Sequence, residues 1–194
     1  MESKRFHQLI ERIDRLNSED PHTETVEGKP VPDELLYSRR LTEWVLRLNP
    51  NASEELRIAA RGQHIRRWTM SRNQYEMDRR GYLRWRETLK AFHVDTVGGL
   101  MREAGYPDDA VQRVQRIMSK RYLQDDSETQ TLEDALCLVF LETQLTELRE
   151  KTPDDKMREI LRKTWVKMSA QGRAAALRLP LSDEDKRCIT EALR

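Results

Sequence analysis

Apolar residues recur at the spacing of an α-helix in most of this chain, and this periodicity limits the fold more than any other feature. The first segment shows the pattern, because Phe6, Leu9, Ile10, Ile13 and Leu16 follow one another at i, i+3, i+4, i+7 and i+10. No segment has the alternation of apolar and polar residues that marks a half-buried strand. We therefore predict an all-α fold, a bundle of about seven to nine helices.

Local start and stop signals set the expected helix boundaries. Asn51 followed by Glu54 has the spacing of a capping box, which predicts a helix over about 52–68. Prolines and a glycine interrupt residues 17–32, so an irregular loop is expected there. A further ordered loop is expected over 69–80. The other helices are predicted near 6–16, 33–49, 80–104, 111–118, 132–148, 153–165 and 182–193.

The 194 residues are enough for one domain with a substantial core. We divide this single domain, 1–194, into an N-terminal helix and loop (1–32), a core (33–180) and a C-terminal helix (181–194). The chain has 35 basic and 34 acidic side chains and a net charge of +1, so it lacks the global positive charge typical of proteins that bind nucleic acid or anionic lipid.

The cysteines and the N-terminus bear on the compartment. Cys137 and Cys188 lie far apart, and neither has a partner at metal-ligand spacing, which favours a reducing environment. The N-terminus has no apolar stretch behind it and no segment reaches the length of a membrane span. A cytoplasmic protein without a membrane partner is expected.

The segment 59–68 breaks the usual pattern of an amphipathic helix. Leu56, Ala59 and Ala60 form an apolar stripe, with Gln63 in its middle and His64 at its edge. Because Ile65 and its neighbours make the opposite side apolar as well, this helix is expected to be surrounded by protein. Gln63 and His64 are therefore predicted to point into the interior, where polar groups require partners.

Two further predicted helices repeat the anomaly. Arg86 and His93 share a helical face with core-type residues such as Leu89. Asp134 stands at the head of a leucine stripe, whereas Glu133 beside it is expected to face solvent. A buried carboxylate needs a cation, a metal ion or several donors. Each group alone fits a structural hydrogen bond or ion pair, but three such groups on three helices favour a shared functional pocket.

Arginines alternate with aromatic residues around the loop at 69–80. Guanidinium groups bind phosphate, and aromatic rings stack on bases. Such charged runs are more often solvated surface. The predicted substrate-binding residues are Arg61, Gln63, Arg66, Arg79, Tyr82, Trp85, Arg86 and Lys120.

Several blocks resemble a known family. They are Glu34-Leu35-Leu36-Tyr37-Ser38-Arg39-Arg40-Leu41-Thr42-Glu43-Trp44, Gln63-His64-Ile65-Arg66-Arg67-Trp68, Asp78-Arg79-Arg80-Gly81-Tyr82-Leu83-Arg84-Trp85-Arg86 and Gln130 to Glu142. From about residue 5 to 180 the chain resembles the domain-of-unknown-function family numbered 4202. The family name implies no activity.

The order of the blocks also resembles the HD phosphohydrolases, an all-helical, metal-dependent superfamily. Ala59–Ile65 lines up with the His-Asp segment of that superfamily, Asp134-Ala135 with its late aspartate, and His93 with additional ligands of two-metal members. Ser38 stands where the first histidine is expected, and Gln63-His64 replaces His-Asp. The resemblance implies an HD-like helical bundle and a divalent metal ion of unspecified identity, with His64, His93 and Asp134 as ligands.

The leading hypothesis is a hydrolase acting on a phosphorylated or nucleotide-like small molecule. Asp134 with a metal ion, or His64 as general base, would activate water, and the arginines would stabilise phosphate charge. The alternative is a non-catalytic module that binds a ligand, or an RNA end, in a pocket without the superfamily metal site. A third interpretation is a helical scaffold with a buried ionic network. The sequence does not set the oligomeric state.

Overall fold

In a computed structural model of the chain, the residues described are 3–121, 123 and 125–193. The prediction of an all-helical fold is confirmed, and the described residues form ten α-helices. They are α1 (Lys4–Asn17), α2 (Asp33–Leu48), α3 (Glu54–Gly62), α4 (Arg79–Glu103), α5 (Asp108–Ser119), α6 (Ser127–Thr143), α7 (Leu145–Lys151), α8 (Asp154–Lys167), α9 (Ala170–Ala176) and α10 (Asp183–Ala192). None of these helices is long and apolar enough to cross a membrane.

The helix count exceeds the expected seven to nine for local reasons. The helix predicted over 132–148 is interrupted at Gln144, whose backbone leaves the helical region, and α6 and α7 lie on either side. Serine hydroxyls cap the first turns of several helices, such as Ser182 at α10. The short α9 begins in the same way, with Ser169 at its N-cap.

The segment 17–32, expected to be irregular, contains a two-stranded antiparallel hairpin. Strands β1 (Thr23–Val26) and β2 (Lys29–Pro32) are joined by Glu27 and Gly28, which both have positive φ. Two such residues form the turn that suits a tight hairpin. Both strands are mainly exposed, so they lack the buried face that would show as alternation in the sequence.

The helix predicted over 52–68 ends early. Ser53, not Asn51, caps α3 by accepting a hydrogen bond from the Leu56 amide at 3.0 Å. The helix ends at Gly62, where a Cβ atom would lie 2.4 Å from the Val97 side chain of α4. The glycine therefore permits the close approach of α3 to α4. Beyond it the chain turns through Arg66, which has a left-handed backbone, into a short 3₁₀ helix over Arg67–Thr69.

One hydrophobic core joins the helices. Helix α6 lies near its centre, packs on α2, α5 and α9, and is buried on most sides. Apolar side chains of α1, α3, α4 and α5 complete the same cluster. Because α6 lacks a solvent-facing side for much of its length, even its polar side chains must find partners inside the protein. Glu133 and Asp134 are buried carboxylates on this helix.

Candidate functional site

A cleft of about 730 Å³ lies between the end of α3, helix α4, the end of α5, and helices α6 and α8. It brings together most of the side chains that the sequence predicts for a site. Those that line the cleft are Gln63, His64, Tyr82, Trp85, Arg86, His93 and Lys120.

His93 lies at the base of this cleft and is 4% exposed. Its Nδ1 lies 2.9 Å from the carbonyl oxygen of Ile65, and since a carbonyl only accepts, Nδ1 is the donor. Burial, together with the nearby His64, lowers the pKa of His93 to about 3. The ring is therefore neutral at neutral pH, and its Nε2 has a lone pair.

His64 reaches the cleft from the turn after α3, stacked on the ring of Tyr37 with centroids 4.2 Å apart. Burial and the positive charges of Arg67, Lys120 and Arg86 hold the pKa of His64 well below its ordinary value. This imidazole is also neutral at neutral pH, so one of its ring nitrogens has a lone pair. The two histidine rings lie 5.9 Å apart.

A carboxylate behind His64 was not predicted from the sequence. Glu34 lies in the first turn of α2, with its Oε2 3.6 Å from His64 Nδ1, beyond hydrogen-bond distance. Burial raises the pKa of Glu34 to about 7, against the opposing charge of Arg67. An acidic residue in a first helical turn is usually an exposed partner of the helix dipole, so nothing in the sequence distinguished this one.

Glu133 contributes the carboxylate that α6 presents to the cleft. Contrary to the prediction that it faces solvent, its side chain is buried, with Oε2 2.6 Å from Lys120 Nζ and Oε1 3.6 Å from Lys167 Nζ. Lys120 has a left-handed backbone at the end of α5, a conformation that is uncommon outside glycine. The buried carboxylate of Glu133 thus holds two lysines at one wall of the cleft.

Asp134 differs from its predicted place. It is 2% exposed but does not line the cleft, because it points toward the start of α9. Its Oδ1 accepts hydrogen bonds from the Ser169 backbone amide at 2.8 Å and from Gln130 Nε2 at 3.0 Å, and its Oδ2 accepts one from the Ser169 hydroxyl. The carboxylate is satisfied by the protein itself and holds the N-terminus of α9.

Three predicted substrate-binding arginines also lie outside the cleft. Arg61 makes a two-pronged ion pair with Asp14 of α1, at 2.6 and 2.7 Å. Arg66 lies in the turn after α3, where its backbone amide donates a hydrogen bond to Asn17 Oδ1. Arg79 is exposed in the first turn of α4. These three residues stabilise local structure or face solvent, and none of them lines the cleft.

The family is established by comparison with known proteins. A family model described as a domain of unknown function, DUF4202, matches residues 7–189. The chain belongs to the DUF4202 family. No curated protein and no solved structure matches it. The resemblance to this family predicted from the sequence is thereby confirmed.

The residues that would hold a metal ion in this DUF4202 chain do not fit that role. Both oxygens of Asp134 are engaged at α9, and the Ser38 hydroxyl donates to the Leu35 carbonyl at 2.8 Å. Over the described part of the chain, no group of three His, Cys, Asp or Glu side chains is placed to hold a metal ion. The predicted set of His64, His93 and Asp134 is not brought together, because Asp134 points toward α9 and does not line the cleft.

Proposed function

We propose that the cleft binds a phosphate-bearing small molecule that also carries a planar ring, as nucleotides do. The observation that carries this proposal is the concentration of positive charge in the cleft of a chain whose net charge is only +1. Against the two acidic side chains of Glu87 and Glu133, the cleft is lined by five cationic ones, those of Arg67, Arg86, Lys90, Lys120 and Lys167. A cleft of one charge sign raises the local concentration of oppositely charged ligands.

Arg86 is the cation best placed to meet a phosphate. Lys90 pairs with Glu87 at 2.9 Å, and Lys120 pairs with Glu133. Arg86, by contrast, has no acidic partner among the described residues, and its guanidinium lies 5.8 Å from the centre of the Tyr82 ring. A guanidinium offers two parallel donors to a phosphate, which a lysine cannot.

Aromatic rings next to these cations suit a planar ligand. Tyr82 is 43% exposed at the edge of the cleft, and Trp85 lies 6.0 Å from it, between ring centres. The Trp85 indole donates to the Met70 carbonyl at 3.0 Å, which fixes the ring. A base stacked on an aromatic side chain gains about 1–3 kcal/mol. These rings and Arg86 support a nucleotide-like ligand in preference to a bare anion.

Titration calorimetry on the full chain tests the proposal, with adenosine 5′-monophosphate, ribose 5-phosphate and inorganic phosphate as probes. We expect the nucleotide to bind most tightly, and Arg86→Ala to weaken it roughly tenfold, the usual value of one charged hydrogen-bonding contact. Arg84→Ala is the matched control, since Arg84 is exposed on the same helix but does not line the cleft. Equal affinities for both variants, or no binding of any probe, would contradict the proposal.

Hydrolysis of the bound ligand is a second candidate, favoured by the neutral imidazole of His64 on the wall of the cleft. In this reaction a water oxygen forms a bond to phosphorus, the ester P–O bond breaks, His64 takes a proton from the attacking water, and the leaving oxygen takes up a proton from solvent. The resemblance of the block order to HD phosphohydrolases points to the same reaction class. The binding proposal does not depend on this step.

A panel of nucleotides, sugar phosphates and 5′-phosphorylated RNA oligonucleotides tests hydrolysis by release of inorganic phosphate. We expect turnover by the wild-type protein and a loss of at least about a hundredfold in His64→Ala, the usual contribution of a general base. Turnover no greater than that of His64→Ala would leave the protein as a binding module. Selective binding of the RNA would identify an RNA end as the source of the phosphate.

A further inference from the structure

The base of the cleft contains buried hydrogen-bond acceptors that no described group of the protein uses. His93 Nε2 is buried and receives no hydrogen bond from any described group. Its tautomer is fixed, because Nδ1 donates to the Ile65 carbonyl at 2.9 Å and Nε2 is left with the lone pair. Buried acceptors are nearly always paired, so this one is an exception that calls for a donor.

Gln63 adds a second unused acceptor to the same cleft. It is the C-cap residue of α3, and its side-chain oxygen, Oε1, is buried without a donor among the described residues. Both Gln63 and His93 line the cleft, so both side chains border the space that a ligand would occupy. The cleft therefore has cationic side chains on its wall and hydrogen-bond acceptors at its bottom.

We propose that His93 Nε2, assisted by Gln63 Oε1, determines which ligand the cleft accepts by receiving a hydrogen bond from an amino group on the ring of the ligand. This proposal rests on the proposed function, because the cationic wall would hold the phosphate of the same molecule. The ligand class is a nucleotide-like phosphate whose base presents a donor. A molecule without that donor would leave Nε2 buried and unpaired, which is the arrangement that gives binding sites their sharpest discrimination.

Pairs of nucleotides that differ by one amino group test this proposal on the full chain. Calorimetry would compare adenosine 5′-monophosphate with purine riboside 5′-monophosphate, and guanosine 5′-monophosphate with inosine 5′-monophosphate. In at least one pair we expect the nucleotide with the amino group to bind roughly tenfold to a hundredfold more tightly. If water alone satisfied Nε2 in the complex, each pair would bind equally.

His93→Phe assigns the discrimination to this side chain. Phenylalanine keeps an aromatic ring of similar size but has no acceptor, so the difference within the discriminating pair should disappear. Arg84→Ala, at an exposed position of the same helix outside the cleft, is the control and should discriminate within the pair as wild type does. Discrimination that persists in a folded His93→Phe variant would overturn the role of His93.

Nitrogen NMR of the histidine rings in the wild-type protein keeps the test independent of that variant's stability. The free protein should show His93 as the neutral Nδ1–H tautomer, and the amino-bearing nucleotide should shift the Nε2 resonance while Nδ1 changes little. An unchanged Nε2 resonance at saturation would overturn the proposal.

The outcomes also separate this inference from the function on which it rests. If phosphate-bearing probes bind with equal affinity within each pair, the donor proposal fails and the phosphate-binding function stands. If no phosphate-bearing probe binds, the proposed function fails, and the donor proposal fails with it.

Discussion

Asp134 and His93 are both buried polar side chains on apolar helix faces, and the fold treats them in opposite ways. Asp134 accepts three hydrogen bonds, two from the backbone amide and hydroxyl of Ser169 and one from Gln130 Nε2. His93 Nδ1 is hydrogen-bonded, whereas Nε2 at the cleft has no partner among the residues that the structure describes. Burial alone therefore does not identify a functional group. What distinguishes the two is whether the protein completes the hydrogen bonds.

The charged residues divide in the same way. Arg61 is held by Asp14, and together they fasten α1 to α3. Arg86 has no acidic partner among the described residues, and its guanidinium lies 5.8 Å from the centre of the Tyr82 ring at the edge of the cleft. Both arginines were predicted to bind the ligand. Sequence spacing shows which face of a helix a residue occupies, but it does not show which residues pack against that face. The comparison predicts stability effects at Asp134 and α9, and effects on binding at the cleft.

The largest expected change in stability is that of the Asp134→Ala variant. It leaves the Ser169 amide and hydroxyl without their acceptor, so we expect the free energy of unfolding to fall by about 3 kcal/mol. Chemical denaturation with a circular dichroism readout measures this, and Asp95→Ala on the exposed side of α4 is the control, within about 0.5 kcal/mol of wild type. An Asp134→Ala protein as stable as wild type would contradict the claim that Asp134 stabilises the fold.

A smaller loss is expected where α9 packs on this carboxylate. A Cβ atom on Gly172 would lie 2.5 Å from Asp134 Cγ, so Gly172→Ala should cost about 2 kcal/mol of stability by overpacking. The matched control is Gly99→Ala in α4, where a Cβ meets nothing within 4 Å and higher helix propensity should raise stability by up to about 1 kcal/mol. Melting curves of the two variants should move in opposite directions, and a shift in the same direction would argue against this packing.

Glu34, behind the cleft, should make stability depend on pH. Its pKa is raised to about 7 in the folded protein, above the ordinary 4.5 of an unfolded glutamate. The folded state therefore binds the proton more tightly, so the contribution is complete below about pH 4.5 and is lost as pH rises through about 7. From pH 5 to pH 8 the stability contributed by Glu34 should fall by on the order of 2–3 kcal/mol.

The difference between wild type and Glu34→Gln isolates this contribution from the buried histidines, which act in the opposite direction at lower pH. Denaturation at pH 5, 6.5 and 8 should show wild type losing stability relative to the variant as pH rises. A constant difference would show that Glu34 titrates normally. That result would remove Glu34 from the buried group around His64.

Much of the fold could be predicted from periodicity, and the exceptions have physical causes. The helices near residues 6–16, 80–104 and 182–193 each have one apolar face, and the structure forms them close to their predicted bounds. The hairpin at 23–32 escaped prediction because it is exposed on both faces. The early end of α3 depends on a contact between Gly62 and Val97, which no local pattern contains.

The site could be predicted only in part, for a related reason. Gln63, His64, Arg86 and His93 interrupt apolar stripes, and the structure does bring them to one cleft. Periodicity could not show which of the neighbours Glu133 and Asp134 faces the cleft, since α6 is buried on both of the faces that they occupy. Periodicity marks a polar residue as interior but does not show whether a cleft or another helix lies beyond it.

One measurement tests the central claim most directly, namely that the unpaired groups mark the binding site while Asp134 belongs to the fold. Backbone amide NMR shifts of the wild-type protein would be followed while adenosine 5′-monophosphate is added. We predict saturable shifts at His64, Arg86, His93 and Lys120, and none at Ser169 beside Asp134. Shifts centred on Ser169, or none at the cleft at saturation, would contradict the account.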